Sequence, residues 1–164
     1  MKWLDGQEFD TKDFTSEILC GRITKEMYNY DHEQWLECDE PLKTALFIID
    51  FDTELTMGGI YAFLENSIGH YAPQIIRSFR NIGDNTDAEI LSEICRLAPP
   101  DMIRGELLET DHKEYDIYIF DEVHGLKEEI ADKISELEEK LYLNSDSDIW
   151  SLLFAYMDSY IMNK

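Results

Sequence analysis

Basic residues are scarce in this chain: 14 Lys and Arg stand against 36 Asp and Glu in 164 residues, a formal net charge of −22. A surface of that sign repels phosphate backbones and anionic membranes and attracts basic surfaces, which argues against direct nucleic-acid or membrane binding. Small domains stay soluble with roughly 2–8 net charges, so solubility alone does not call for this many carboxylates. Cysteine is equally sparse. Cys20, Cys38 and Cys95 are widely spaced and form no CxxC pair, which argues against a disulfide framework or a zinc knuckle and fits a reducing cytoplasm, the expected location. No apolar run approaches the roughly 18 residues of a membrane helix. Met1-Lys2-Trp3-Leu4-Asp5-Gly6 turns acidic at once, so no export signal is expected there. Prolines and glycines build no linker, and neither a repeat nor a low-complexity tract is visible.

What is present can fold. With 44% hydrophobic and 12% aromatic residues, the chain is too apolar for a disordered acidic tail, and its length suits one domain with a substantial core. Its charge is uneven. Residues 1–40 hold 11 acids and 4 bases, 41–82 hold 4 and 3, 83–126 hold 12 and 3, and 127–164 hold 9 and 4. The near-neutral second block is the most apolar. Leu42, Ala45, Leu46, Ile48, Ile49 and Phe51 predict a helix over 41–55 that is buried on most of its circumference. Met57-Gly58-Gly59 interrupts it, and Ile60, Phe63, Leu64 and Ile68 mark a shorter helix that Gly69 closes as a C-terminal glycine.

Further helices are expected over 16–28 and 71–82, the latter stopping at Gly83. Another begins at Thr86 or Asp87 as cap and ends before Pro99-Pro100. Two more cover 126–142 and 149–162. Residues 111–126 alternate like a strand through Tyr115, Ile117 and Ile119, yet no partner strand is found, so they read as loop or irregular helix. The expected fold is all-α: a single globular domain of six to eight packed helices. Residues 1–40 read as a helical extension of the same globule, and 41–164 as its main domain.

Abundant carboxylates raise the question of metals. His32, His70, His112 and His124 form no pair at i,i+3 or i,i+4 spacing, and HExxH does not occur, so no metal or cofactor is expected. Asn144-Ser145-Asp146-Ser147-Asp148 offers the first alternating ligands of a calcium loop but lacks its glycine and closing glutamate. An acidic cap for the last helix accounts for the same residues. Asp50 and Glu54 are four apart on one helix face, where like charges cost a few tenths of a kcal/mol. Crowding raises one pKa of such a pair, which is what an acid/base pair, with or without a divalent ion, would use. The favoured reading is that each side chain bonds backbone groups of the Gly58-Gly59 turn or reaches solvent. GxSxG, Walker A and GxGxxG are absent, and the expectation is that the chain is not an enzyme.

The segment from Phe51 to Gly69 resembles the signature of a bacterial family, a domain of formally unknown function that includes a DNA-mimic protein. The family pattern is an acidic residue, an Asn-Gly-Gly-Phe-like turn, an aromatic pair and Asn-Ser-x-Gly. Glu54, Gly58, Gly59, Phe63, Asn66, Ser67 and Gly69 match it, while Met57 replaces the usual Asn and Ile60 the usual Phe. Asn81-Ile82-Gly83 and the segments Ile134–Tyr142 and Trp150–Tyr160 are similar to later family features, so the likeness spans roughly 42–163. The matched residues read as structural: two glycines for a tight interhelical turn, and Asn66 and Ser67 to close the next helix. The resemblance implies an all-helical, cofactor-free protein that acts by occupying the DNA-binding surface of a transcription factor.

Charge and resemblance together point to an acidic protein that caps a basic, nucleic-acid-binding surface. Its expected partner is a basic DNA-binding protein or a nuclease, the latter making it an immunity-type inhibitor. Exposed aromatics leave a homodimer open. The carboxylates expected to contribute are Asp84, Asp87, Glu89, Glu93, Asp101, Glu106 and Glu109, in the most acidic block. Electrostatic steering and occlusion supply the mechanism. The alternative from another class is a small enzyme or metal-binding protein built on Asp50 and Glu54.

Overall fold

The computed structural model describes residues 1–98 and 128–162. Seven α-helices lie among them: α1 (Ser16–Glu26), α2 (His32–Trp35), α3 (Glu40–Glu65), α4 (Ala72–Asn81), α5 (Asn85–Leu97), α6 (Glu128–Glu138) and α7 (Ile149–Met162). Short 3₁₀ turns follow α1, precede α4 at Ser67–Tyr71 and follow α6 at Tyr142–Asn144. The only extended pairing among the described residues is a single bridge between Lys2 and Glu8. The domain is all-α, as its periodicity implies. The strand-like alternation at 111–126 lies outside the described residues.

The apolar block is the axis of the fold. Leu42, Leu46, Phe47, Ile48 and Phe51 of α3 are all buried, and α1, α4, α7 and the Ser67–Tyr71 turn pack around that helix. Next, α5 packs on α4 and α6 on α5. Phe51 meets the edges of Phe63 and Phe79 at centroid distances of 4.8 and 5.5 Å, the T-shaped geometry aromatic quadrupoles favour. Residues 1–40 share this core: Trp3, Leu4, Leu19, Ile23, Met27 and Trp35 belong to one buried cluster with α3. Trp3 is pinned on its polar side, its Nε1 donating to Glu26 Oε2 at 2.7 Å, with the Arg22 guanidinium 4.1 Å above its ring.

Gly58-Gly59 does not separate two helices outright; it kinks one. Gly59 takes φ 72° and ψ −172° inside α3, a conformation that L side chains rarely adopt. The kink frees the Ile60 N–H from the helix ladder, and Glu138 of α6 accepts from it at 2.7 Å. This carboxylate, rather than Asp50 or Glu54, serves the glycine turn. Glu138→Ala is expected to lower stability by about 2 kcal/mol in urea unfolding, because it orphans a half-buried donor. Glu138→Gln, whose amide oxygen still accepts, is expected to lose less than half of that. Equal losses for the two would mean that charge, not the hydrogen bond, holds the kink.

Two local expectations are corrected. Gly69 does not close a helix in the left-handed region; α3 ends at Glu65 with Asn66 as its cap, and Gly69 is buried in the following 3₁₀ turn. Neither Thr86 nor Asp87 caps α5. Asp84 does, accepting from the Asp87 N–H at 3.1 Å. At the last helix the acidic cap is present: Asp148 Oδ1 accepts from the Ser151 N–H at 3.1 Å.

Candidate acidic interface and its histidine pocket

Two of the seven carboxylates expected at the interface lie inside the protein. Asp84 is 6% and Asp87 2% exposed. Asp84 caps α5, and Asp87 Oδ1 accepts from the Tyr142 N–H at 3.1 Å, tying α5 to the turn after α6. Burial, then the adjoining Asp84 carboxyl, push Asp87 up to about 8. Both side chains are therefore used by the fold, because a helix start packed against another turn has to satisfy its amides from within. Glu89 is exposed, whereas Glu93 is half-buried and paired with Arg96 at 2.8 Å. Asp101, Glu106 and Glu109 lie outside the described residues.

Asp50 and Glu54 share a face of α3 but serve different partners. Asp50, 3% exposed, accepts from the Tyr28 hydroxyl at 3.0 Å through Oδ1 and meets His32 Nε2 at 2.8 Å through Oδ2. Glu54 Oε2 accepts from Asn66 Nδ2 at 2.6 Å and so holds the end of α3. Tyr28, His32 and Glu138 are the partners that sequence reasoning missed. No short spacing signals them, since they lie 18 to 78 residues from the groups they bind.

The ring of His32 forms one wall of a cavity of about 470 Å³, lined by Asp31, His32, Glu33, Ser67, His70 and Tyr71. The wall is braced. His32 stacks on Tyr71 at 4.9 Å and meets Trp35 edge-on at 4.3 Å, while Tyr71 stacks on the core residue Phe47 at 5.6 Å. Burial raises the pKa of the Tyr71 hydroxyl, and the charges of Glu33 and Asp31 raise it further. Opposite stands the turn carrying the Asn66-Ser67-x-Gly69 motif. Gly69 lets that turn lie directly against the end of α3: a Cβ there would fall 2.6 Å from the Phe63 carbonyl oxygen and 2.8 Å from that of Leu64. The motif residues thus place Ser67, His70 and Tyr71 across from α2.

A second, smaller cavity of about 220 Å³ among the described residues lies where Trp3 and Leu4 face Gln34, Glu37 and Cys38. No group of three or more His, Cys, Asp or Glu side chains among the described residues is placed to hold a metal ion, and no helix among them is long and apolar enough to cross a membrane. Burial pushes the Cys20 and Cys95 thiols up to about 12 and Cys38 up to about 11, which leaves them poor nucleophiles.

A family model described as DMP19-like protein matches residues 36–160, so it takes in α3, its kink and the closing helices. The chain belongs to the DMP19-like family. The match bears out the sequence resemblance to a family that includes a DNA-mimic protein. No curated protein and no solved structure matches the chain. The family match also divides the cavity. Ser67, His70 and Tyr71 lie within it, whereas Asp31, His32 and Glu33 come from the segment before residue 36.

Proposed function

We propose that this chain is a non-enzymatic, acidic binding protein of the cytoplasm, a DNA mimic that occupies the basic nucleic-acid-binding surface of a DNA-binding protein. The observation that carries the reading is a surplus of exposed carboxylates left without internal cations. Lys and Arg pair with Asp10, Glu26, Glu40, Glu93 and Glu136 among the described residues. Exposed Asp31, Glu33, Glu37, Glu89, Asp132 and Glu139 meet none there. Such charges, fixed on rigid helices, steer a basic partner into contact and compete with phosphates for it. Asp50 supports this reading too. Its bonds to Tyr28 and His32 brace the cavity wall, and among the described residues no second carboxylate is bonded to it.

The test is capture from native lysate on the immobilised intact chain at low salt, followed by a rising salt gradient and competition with duplex DNA. One basic DNA-binding protein, released by moderate salt and displaced by its DNA, is the expected result. A nuclease inhibited by the chain would make it an immunity-type inhibitor instead. Recovery of abundant basic proteins alone, with no selective partner, would sink the proposal.

A further inference from the structure

We infer that the cavity between α2 and the Ser67–Tyr71 turn is a receptor for one guanidinium group, the side chain of an arginine on the basic partner. This rests on the binding reading above and gives it a defined anchor point. About 470 Å³ of space lies within the range of ligand pockets, roughly 300–1,000 Å³. Among the described residues its lining contains neither Lys nor Arg. What lines it is acceptor chemistry, the exposed carboxylates of Asp31 and Glu33 and the Ser67 hydroxyl, beside the ring of His32, whose Nε2 faces Asp50. A guanidinium is the complementary group. It brings five N–H donors in one plane and no acceptor, pairs two at a time with carboxylates, and sheds water more readily than an ammonium.

Two further features separate this cavity from the general acidic surface. First, it is built in advance. Asp50, buried under His32 and held by Tyr28, fixes the imidazole, and the Trp35, Tyr71 and Phe47 rings fix the wall. Little ordering is then needed on binding, which is where much affinity is otherwise lost. Second, its two exposed carboxylates meet no Lys or Arg among the described residues, and the charges of Glu33 and Asp31 are felt at the Tyr71 hydroxyl.

The experiment is an NMR titration of the intact chain with agmatine, an alkylguanidinium, read at the ring C–H signals of His32 and His70. Putrescine and N-butylurea serve as ammonium and neutral comparisons. Saturable shifts with agmatine, weaker ones with putrescine and none with N-butylurea are expected. Asp31→Asn/Glu33→Gln should weaken agmatine binding at least about tenfold, as loss of two charge-assisted contacts implies. Asp13→Asn/Glu17→Gln, which removes the same charge from exposed positions near α1, should change it less than about twofold at physiological salt. Absence of saturable shifts, or equal weakening by both double variants, would overturn the inference. Salt-reversible capture of a single basic protein could still succeed in either case, so failure of the pocket and failure of the DNA-mimic proposal give different results.

Discussion

Gly69→Ala is expected to destabilise the protein by about 3 kcal/mol, the upper end of the range for forcing extra atoms into a packed site. Backbone freedom is not the issue, since Gly69 is not among the glycines with positive φ. The obstacle is space. The added methyl would stand 2.6 Å from the Phe63 oxygen, 2.8 Å from the Leu64 oxygen and 3.2 Å from the Leu64 carbonyl carbon. All three are main-chain atoms at the buried end of α3, so no rotamer change relieves the contact. Either the Ser67–Tyr71 turn or the last turn of α3 has to move, and Asn66, held by Glu54, is the junction between them. Urea unfolding would give the stability, and the His70 and Tyr71 NMR signals would report the displaced turn. A variant within about 0.5 kcal/mol of the parent, the scatter of ordinary surface substitutions, would show that this close approach is not a structural requirement.

The second large effect concerns acid–base balance inside the fold. Among the described residues no hydrogen-bond donor reaches the buried Asp84 Oδ2. Burial first, and the adjoining Asp84 carboxyl second, favour a proton retained on Asp87. The folded-state pKa of Asp87 is raised from 3.8 to about 8, so between those values the folded protein holds a proton that the unfolded chain has released. The stabilisation is fully present below the unfolded pKa, declines as pH rises, and is gone above the folded pKa. Each unit of displacement corresponds to about 1.4 kcal/mol; half of the indicated displacement already amounts to roughly 3 kcal/mol.

Asp87→Asn removes the titration and keeps the shape. Its amide can donate to Asp84 Oδ2 while its oxygen still accepts from the Tyr142 N–H. At pH 9 the variant should be the more stable protein by about 2–3 kcal/mol, and near pH 4 the difference should vanish. Urea unfolding of both proteins at pH 4, 7 and 9 decides it. The difference between them matters, because repulsion across a net charge of −22 shifts both curves alike. Parallel stability curves would mean that Asp87 is ionised throughout.

The helices were readable for a reason that also explains what was not. Along α3 the apolar residues recur every three or four positions, and that pattern is a property of one segment alone. Gly83 and Gly59 likewise act locally, by what their own backbones can adopt. The family motif was legible as residues but only partly as roles. Gly59 was expected at a turn and sits at a kink, while Gly69 was expected to supply a left-handed cap and supplies room for two carbonyl groups instead.

The acidic block illustrates the other side. Asp84, Asp87, Glu89 and Glu93 are indistinguishable as side chains in a sequence, yet two are buried, one is paired and one is free on the surface. Which fate a carboxylate meets depends on what a distant segment brings to it: the Tyr142 amide 55 residues away for Asp87, Ile60 across 78 residues for Glu138, and Tyr28 and His32 for Asp50. By itself, then, the sequence determined an all-helical body, the position of its central apolar helix and an excess of negative charge, because periodicity and composition are summed over neighbours. Only the tertiary structure decided which carboxylates hold the fold, which face solvent, and that α2 and the Ser67–Tyr71 turn enclose a cavity, because those outcomes depend on contacts between helices far apart in the chain.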